Sequence, residues 1–385
     1  MSKKTIIIIL GIVVLVLLII FIYPRIGIMI KEYKLNKLTS QVFPEQPQIK
    51  NIANPKITGE IIPSDVNWPF LEGQDIFFLD KNYALFDLNL DNLQSSRLPF
   101  INISNDTKIE NVKWFNKSKI ILFQLKASSQ ISASEEEITP DSSDVETIIS
   151  MVDLQQNRTY NLPADAIDAL WNSKNGELIM LEKDQNNNYI LSEIDQNLNK
   201  KNIFNFGNTE IFLLNNQAKT INNLIFFTKS TGNNTLYKLD LNSNQESEIL
   251  DNVVTANVSP NGEFALINLI GDSSYTSIIY NLKTNNTLYK FTLPILTERT
   301  CFDPTGQNLY YTEGENLKVG DESKYLDRKP SYVFFVYHSN LNSVEQLNNH
   351  LINNPLDPIF LMINNFKNKL YFVNLPQQSL FYMEL

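Results

Sequence analysis

The sequence contains a single cysteine, Cys301, among its 385 residues. No disulfide can form within the chain, so it fits poorly with small secreted folds that depend on disulfides. A bacterial envelope protein or a cytosolic protein is consistent with this cysteine usage. Because Cys301 stands beside Phe302, we expect it to be a small buried hydrophobic residue, the alternative being a free reactive thiol.

Histidine and glycine are also scarce, with two and 12 residues. A zinc site or a serine hydrolase triad needs histidines close to other ligands or to a nucleophile, and the chain contains no Gly-x-Ser-x-Gly motif. We expect His338 to end a strand, and His350 offers no pattern typical of a site. The few glycines argue against a glycine-rich phosphate loop. The sequence therefore predicts no catalytic residue, no metal ligand and no cofactor-binding residue.

The net charge of −10 is distributed unevenly along the chain. Residues 1–37 carry six basic side chains against Glu32 alone, a net of +5, so the rest of the chain carries −15. An acidic domain repels a phosphate backbone, so we expect no nucleic-acid partner. The basic segment suits anionic lipid headgroups.

One long hydrophobic run stands near the N-terminus, at residues 5–23, which are uncharged and almost wholly aliphatic. At a rise of about 1.5 Å per residue, they just span a hydrocarbon core of about 30 Å. The alternative, a cleaved signal peptide, has a shorter apolar run and small residues at its cleavage site. We therefore predict a transmembrane helix at 5–23 after a short tail (1–4), followed by a juxtamembrane segment and linker (24–56). A signal anchor of this type places the tail in the cytoplasm and the large domain outside it, in a bacterial cell membrane.

The rest of the chain reads as short β-strands joined by polar turns. A recurring unit consists of an apolar or aromatic residue, a polar turn and an apolar strand. One turn residue from each copy gives the series Glu72, Asn116, Ser173, Gln217, Asn261, Thr305 and Phe366. Most successive copies are 44 residues apart. The two longer intervals contain an acidic, serine-rich insertion (128–144) and a second insertion (313–331).

A period near 44 residues with several strands per unit is typical of β-propeller blades. One blade cannot bury both faces of its small sheet, so neighbouring blades must pack around an axis. We therefore predict an all-β fold, a β-propeller over 57–385 with seven blades favoured, and six or eight as alternatives. Only two strands follow the last turn residue, so we expect residues 57–62 to complete the last blade and close the ring.

The clearest copies of the unit contain Ser259-Pro260-Asn261-Gly262 and Asp303-Pro304-Thr305-Gly306. Their Asn-Gly and Thr-Gly pairs supply the positive φ that tight turns need. This pattern resembles the WD40-like repeats of TolB-type propellers and of the propeller domain in prolyl-oligopeptidase relatives. The other five copies depart from the motif. The resemblance covers roughly residues 57–385 and implies a fold, while it indicates little about function.

On this basis we expect a membrane-anchored, extracytoplasmic β-propeller that acts as a non-catalytic protein-interaction or scaffold module of the cell envelope. Its partner would be another envelope protein, bound through a propeller face or through the loops 128–146 and 313–331. The alternative is a propeller enzyme, or a protein that binds a glycan or small ligand in the central funnel. The acidic loop is expected to be solvated, with a contact to a basic partner as the alternative.

Three tryptophans allow a further prediction. Trp114 and Trp171 occupy equivalent positions in the repeat, so we expect them to pack as wedges between blades. Trp68 fits either a core position or an exposed aromatic surface, which would indicate sugar or peptide binding.

Overall fold

The computed structural model describes residues 50–51, 57–99, 107–127, 145–172, 177–195, 199–214, 223–230, 233–271, 275–312, 333–347, 357–375 and 377–385. Every described residue belongs to one compact unit, 47–385. Among the described residues, no helix has both the length and the apolar character needed to span a membrane. The predicted transmembrane helix at 5–23 lies outside the described residues and stays a prediction.

The described residues form mainly short strands that are rich in β-branched and aromatic residues and are bounded by Asn, Asp and Gly turns. In chain order the strands are β1 (Lys50–Asn51), β2 (Ile57–Ile62), β3 (Asn67–Glu72), β4 (Asp75–Leu79), β5 (Leu85–Asn89), β6 (Gln94–Arg97), β7 (Thr107–Asn116), β8 (Lys119–Ala127), β9 (Val145–Asp153), β10 (Arg158–Asn161), β11 (Ala166–Asn172), β12 (Glu177–Lys183), β13 (Tyr189–Ile194), β14 (Lys200–Gly207), β15 (Glu210–Leu213), β16 (Asn223–Ser230), β17 (Asn233–Asp240), β18 (Gln245–Leu250), β19 (Val253–Val258), β20 (Phe264–Ile270), β21 (Tyr275–Asn281), β22 (Asn286–Lys290), β23 (Thr300–Phe302), β24 (Asn308–Thr312), β25 (Phe334–His338), β26 (Ser343–Gln346), β27 (Pro358–Asn364), β28 (Lys369–Asn374) and β29 (Ser379–Glu384). One turn of 3-10 helix, Thr297–Arg299, precedes β23.

These strands form seven sheets, which are the blades of a propeller. Blades 1 to 6 are meanders of four consecutive strands, and blade 7 combines β27, β28 and β29 with β2. The first strand of blade 7, β27, contacts the first strand of blade 1, β3, so the sheets form a closed ring. The structure thus confirms the predicted all-β propeller and the favoured number of blades.

The ring is closed by a strand from the N-terminal side of the domain. Strand β2 pairs antiparallel with β29, with Ile57 opposite Met383 and Ile62 opposite Leu380. This pairing confirms the expectation that residues 57–62 complete the last blade. It also covers the edge of β29, which would otherwise be free to pair with another chain. A second short strand, β1, pairs in parallel with β26 at the outer edge of blade 6.

The core lies between the blades. Residues 76–79 of β4 and 370–373 of β28 are all buried, because each blade packs against a neighbour on both faces. Across blades 6 and 7, the rings of Phe334 and Phe372 have centroids 5.1 Å apart. A fully buried side chain of this size contributes about 1.5–3 kcal/mol. Packing between blades therefore contributes substantially to the stability of the ring.

The repeating unit predicted from the sequence corresponds to the first hairpin of each blade. The turn residues that the structure describes lie at or beside the connection between the first and second strands; they are Glu72, Asn116, Asn261, Thr305 and Phe366. Ser173 and Gln217 lie outside the described residues, between the first and second strands of blades 3 and 4. Each copy of the unit thus corresponds to one blade.

Candidate functional site

The meander distributes its loops between two faces of the ring. We call the face on which each first strand begins the upper face. Because consecutive strands are antiparallel, the connections between second and third strands lie on this face too, and the turns after the first strands lie on the opposite, lower face. Residues 128–144 connect β8 to β9 and residues 313–332 connect β24 to β25. Both insertions therefore leave their blades at the upper face. Val145 and Glu146 belong to β9, so the predicted loop 128–146 ends two residues earlier, at residue 144.

The lower face is held together by hydrogen bonds between the turns of adjacent blades. The Asn261 amide donates to the Thr305 carbonyl at 2.8 Å, which links blades 5 and 6. The Asn364 amide donates to the Gly73 carbonyl at 3.1 Å, which links blades 7 and 1. The Glu72 carboxylate accepts from the backbone N–H of Lys117 and so links blades 1 and 2. These turn residues serve the ring itself.

A groove of about 660 Å³ opens on the upper face where blades 7, 1 and 2 meet. It lies between the start of β3 and the start of β7, beside the loop that connects β4 to β5. Its lining combines two aromatic rings with amide, lysine and carboxylate side chains: Asn67, Trp68, Lys81, Tyr83, Lys108, Ile109, Glu110, Asn111 and Gln378. We call this the upper-face groove.

Backbone strain is concentrated at this groove. Trp68 and Tyr83 have φ of 45° and 62°, a left-handed region in which a bulky residue is strained by about 1–3 kcal/mol. Among the described residues, 13 that are not glycine have positive φ, and seven of these are asparagines, which tolerate it. Of the other six, Trp68, Tyr83 and Gln378 line the groove, and Asp65 pairs with the groove residue Lys81.

Contacts from three blades hold Trp68 in this conformation. A register shift between Asn67 and Phe70 forms a bulge in β3, and bulges re-aim side chains. The indole N–H of Trp114, in blade 2, donates to the Trp68 carbonyl at 2.9 Å. The amide of Gln378, in blade 7, donates to Asn67 Oδ1 at 2.9 Å. The groove is therefore built on the rigid part of the fold.

The groove presents an aromatic surface with balanced charge. The rings of Trp68 and Tyr83 have centroids 6.4 Å apart at an angle of 32°, and both side chains are half-buried. Lys81 pairs with Asp65 at 3.2 Å. Lys108 and Glu110 project from the same strand, β7, and both are exposed. Such a site can stack on a flat apolar surface and exchange hydrogen bonds at its rim.

The other two tryptophans lie where the repeat predicts. Trp171 is buried between blades 2 and 3 and stacks on Phe115, with ring centroids 5.2 Å apart. Trp114 stacks on Phe70 of blade 1 at 5.3 Å, with the rings nearly parallel. Both predictions of wedges between blades are confirmed, whereas Trp68 lines the groove.

Cys301 and His338 have structural positions. Cys301 is buried, as expected, and burial together with the nearby Asp303 raises the pKa of its thiol, so little reactive thiolate forms. His338 is the last residue of β25, which confirms its predicted place. Its Nδ1 lies 2.7 Å from Asn308 Oδ1, and its Nε2 lies 3.3 Å from Glu345 Oε2. His350 lies outside the described residues.

Two ion pairs stand at the blade interfaces, one partly buried and one buried. Lys113 Nζ lies 2.6 Å from Asp168 Oδ1, between the first strands of blades 2 and 3. Arg299 pairs with Asp357 at the start of blade 7; burial raises the pKa of this carboxyl, while the guanidinium opposes the shift. In the part of the chain that the structure describes, no three His, Cys, Asp or Glu side chains are grouped as a metal would require. The ion pairs therefore have the character of structural links between blades.

Sequence reasoning did not find most of the groove. Of its lining residues, only Trp68 was named as a candidate binding residue. Tyr83, Lys108 and Gln378 belong to no sequence motif that would indicate a site. Gln378 comes from blade 7 and Lys108 from blade 2, so they join Trp68 only once the ring is closed. The one available signal was a tryptophan at a repeat position that does not match the other two.

No family model and no curated protein matches the chain. Solved structures do match. The β-propeller domain of Cps50 (Swd1) from Myceliophteria thermophila is 12% identical with a TM-score of 0.52, over 86% of this chain and 99% of that one. An oligogalacturonate lyase in complex with manganese is 9% identical with a TM-score of 0.55, over 86% of this chain and 94% of the lyase. TolB from Acinetobacter baumannii is 10% identical with a TM-score of 0.40, over 82% of this chain and 78% of TolB.

At such identities, the likeness shows the fold alone. The β-propeller part of the resemblance is thereby confirmed. The TM-score against TolB is too low to assign this chain to the TolB-type propellers. Several of the similar structures are named as enzymes, among them the oligogalacturonate lyase and an acylaminoacyl peptidase from Pyrococcus horikoshii, and others are not. The fold therefore does not decide whether this chain is catalytic.

Proposed function

We propose that this protein is a membrane-anchored, extracytoplasmic β-propeller that acts as a non-catalytic interaction module of the cell envelope and binds another envelope protein through its upper face. The observation that carries this proposal is the common face of the two insertions, which connect second to third strands in blades 2 and 6. The upper-face groove opens on the same side. The lower face, in contrast, uses its turn residues to link blades.

The charge of the first insertion indicates the kind of partner. Residues 128–144 include five acidic side chains and no basic one. Such a loop attracts a basic protein surface and accelerates association with it, more at low salt than at high salt. The second insertion, 313–332, carries charges of both signs. We therefore expect a partner that contacts both loops to place a basic surface against the acidic loop of blade 2.

The anchor at 5–23 supports the proposed location. A signal anchor with a short tail holds the propeller close to the outer surface of the membrane, which raises its effective concentration toward other envelope proteins. Alkaline extraction of membranes and protease accessibility in spheroplasts test this part. Release of the full chain by alkali, or protection of the propeller from external protease, would contradict it.

The partner is tested by copurification of the full-length chain from chemically crosslinked membranes. We expect a near-stoichiometric protein that is lost when 128–144 or 313–332 is replaced by a short Gly-Ser linker. The matched control is Phe366→Ala, which alters the lower face at a side chain that is 91% exposed. A partner that survives both replacements and is lost in the control would place binding on the lower face and contradict the proposal.

A further inference from the structure

Trp68 and Tyr83 each pack against the apolar cluster between blades 1 and 2 and also line the open groove. Both residues have strained φ angles, yet their rings remain half-buried and in contact with each other at the wall of an open groove. Strain combined with exposure is typical of residues that are held ready for a ligand.

The lining favours a ligand with a flat apolar side and many hydroxyl groups. The adjoining rings of Trp68 and Tyr83 offer a surface on which the C–H face of a sugar ring can stack. Asn67, Asn111 and Gln378 supply amide groups around it. Gln378 Nε2 already donates to Asn67 Oδ1, and Asn111 Oδ1 accepts from the N–H of Val112. The amide N–H groups of Asn67 and Asn111 and the Oε1 of Gln378 are therefore the groups that can pair with sugar hydroxyls. The volume of about 660 Å³ lies within the usual range for small-ligand sites.

The charges argue against an anionic ligand. The two lysines of the groove are matched by two carboxylates, because Asp65 pairs with Lys81 and Glu110 stands two residues from Lys108 on β7. A site for phosphate, sulfate or uronate groups would show an excess of positive charge. A side-chain pocket for a peptide would need more apolar lining than Ile109 alone.

We infer that the upper-face groove binds a neutral oligosaccharide, with Trp68 and Tyr83 as the stacking surface and Lys108, Glu110 and Gln378 as hydrogen-bonding groups. The residues named for this site lie outside the insertions 128–144 and 313–332, so the inference does not rest on the proposed function. Loss of the protein partner would leave sugar binding intact.

The test is calorimetric titration of the full-length chain, in a detergent without a sugar headgroup, with cellohexaose, maltohexaose and the hexamer of N-acetylglucosamine. We expect at least one of these to bind with quenching or a shift of tryptophan fluorescence. Tyr83→Asn keeps a residue that tolerates positive φ and removes the ring, so it should raise the Kd at least about tenfold. Glu110→Gln should weaken binding less. Phe366→Ala, on the lower face, should leave the Kd unchanged.

Three results would overturn the inference. The first is no binding of any of the three sugars by a chain whose thermal unfolding is normal. The second is binding that Tyr83→Asn and Glu110→Gln leave unchanged. The third is a groove that takes an oligogalacturonate or an extended peptide in preference to every neutral sugar, with the same sensitivity to Tyr83→Asn.

Discussion

At the lower face, Gly306 of blade 6 lies against Asn261 of blade 5. Gly306 has φ of 74°, and a Cβ added there would lie 2.6 Å from the Asn261 side chain. Asn261 is held in place, since its amide donates to the Thr305 carbonyl and its Oδ1 accepts from the Ser259 hydroxyl at 2.7 Å. Glycine is therefore required here for two reasons, the backbone angle and the contact with the neighbouring blade.

A matched pair of substitutions separates these reasons. Gly262, in the equivalent turn of blade 5, has φ of 70° and open space where a Cβ would lie. Gly262→Ala should destabilise the protein by about 1–2 kcal/mol through the backbone alone. Gly306→Ala should destabilise the protein by about 1–3 kcal/mol more than Gly262→Ala does, because Asn261 must move. The measurement is the midpoint of urea unfolding, and equal losses for both variants would show that the Asn261 contact contributes nothing.

The glycine turns also show which backbone angles can be predicted from the sequence. Asn261-Gly262 and Thr305-Gly306 predicted positive φ, and both glycines have it, because the requirement is local to the turn. The positive φ of Trp68 could not be predicted in this way. It depends on Trp114 and Gln378, which come from other blades and act on Trp68 only in the closed ring.

Among the elements, β2 is the strand that joins the N-terminal side of the domain to the last blade. Ile61 and Ile62 pack against the apolar cluster between blades 7 and 1, beside Leu380 and Val373. If both isoleucines become aspartate, two charges are placed against buried apolar side chains, and β2 should detach from β29. We expect a loss of about 2–4 kcal/mol in stability. Thermal unfolding measures this loss, and limited proteolysis near residue 62 reports the detachment.

Glu60→Ala is the control for this variant, because Glu60 belongs to the same strand and its side chain is exposed. It should leave the unfolding temperature nearly unchanged. The double aspartate variant should also self-associate, since the edge of β29 becomes free. Normal unfolding of the double variant would mean that the ring is held without β2.

The elements were predictable to different degrees. The central strands were readable as continuous apolar runs, as in Ile76–Leu79, because burial on both faces of a blade removes the alternation of a half-buried strand. Outer strands such as Gln94–Arg97 are exposed throughout and carry no such signal. The ring closure was predicted because the last blade lacked a strand. The groove was not predicted, because its residues come from loops and strand ends of three blades.

For the whole molecule, the closed ring predicts cooperative unfolding of the unit 47–385. Each blade shares its core with both neighbours, so losing one blade exposes apolar surface on two others. A chain that lacks residues 1–46 retains every described strand, including β1 and β2. We expect this chain to give a β-type far-ultraviolet circular dichroism spectrum and to unfold in a single transition with urea, at the same midpoint by circular dichroism and by tryptophan fluorescence.

A strongly helical spectrum would contradict the fold. Two separated transitions would mean that part of the ring unfolds alone, as in an open repeat array whose units contact only their neighbours in sequence. In that case β2 would not couple the first and last blades, and the double aspartate variant should shift only the transition that includes blades 7 and 1.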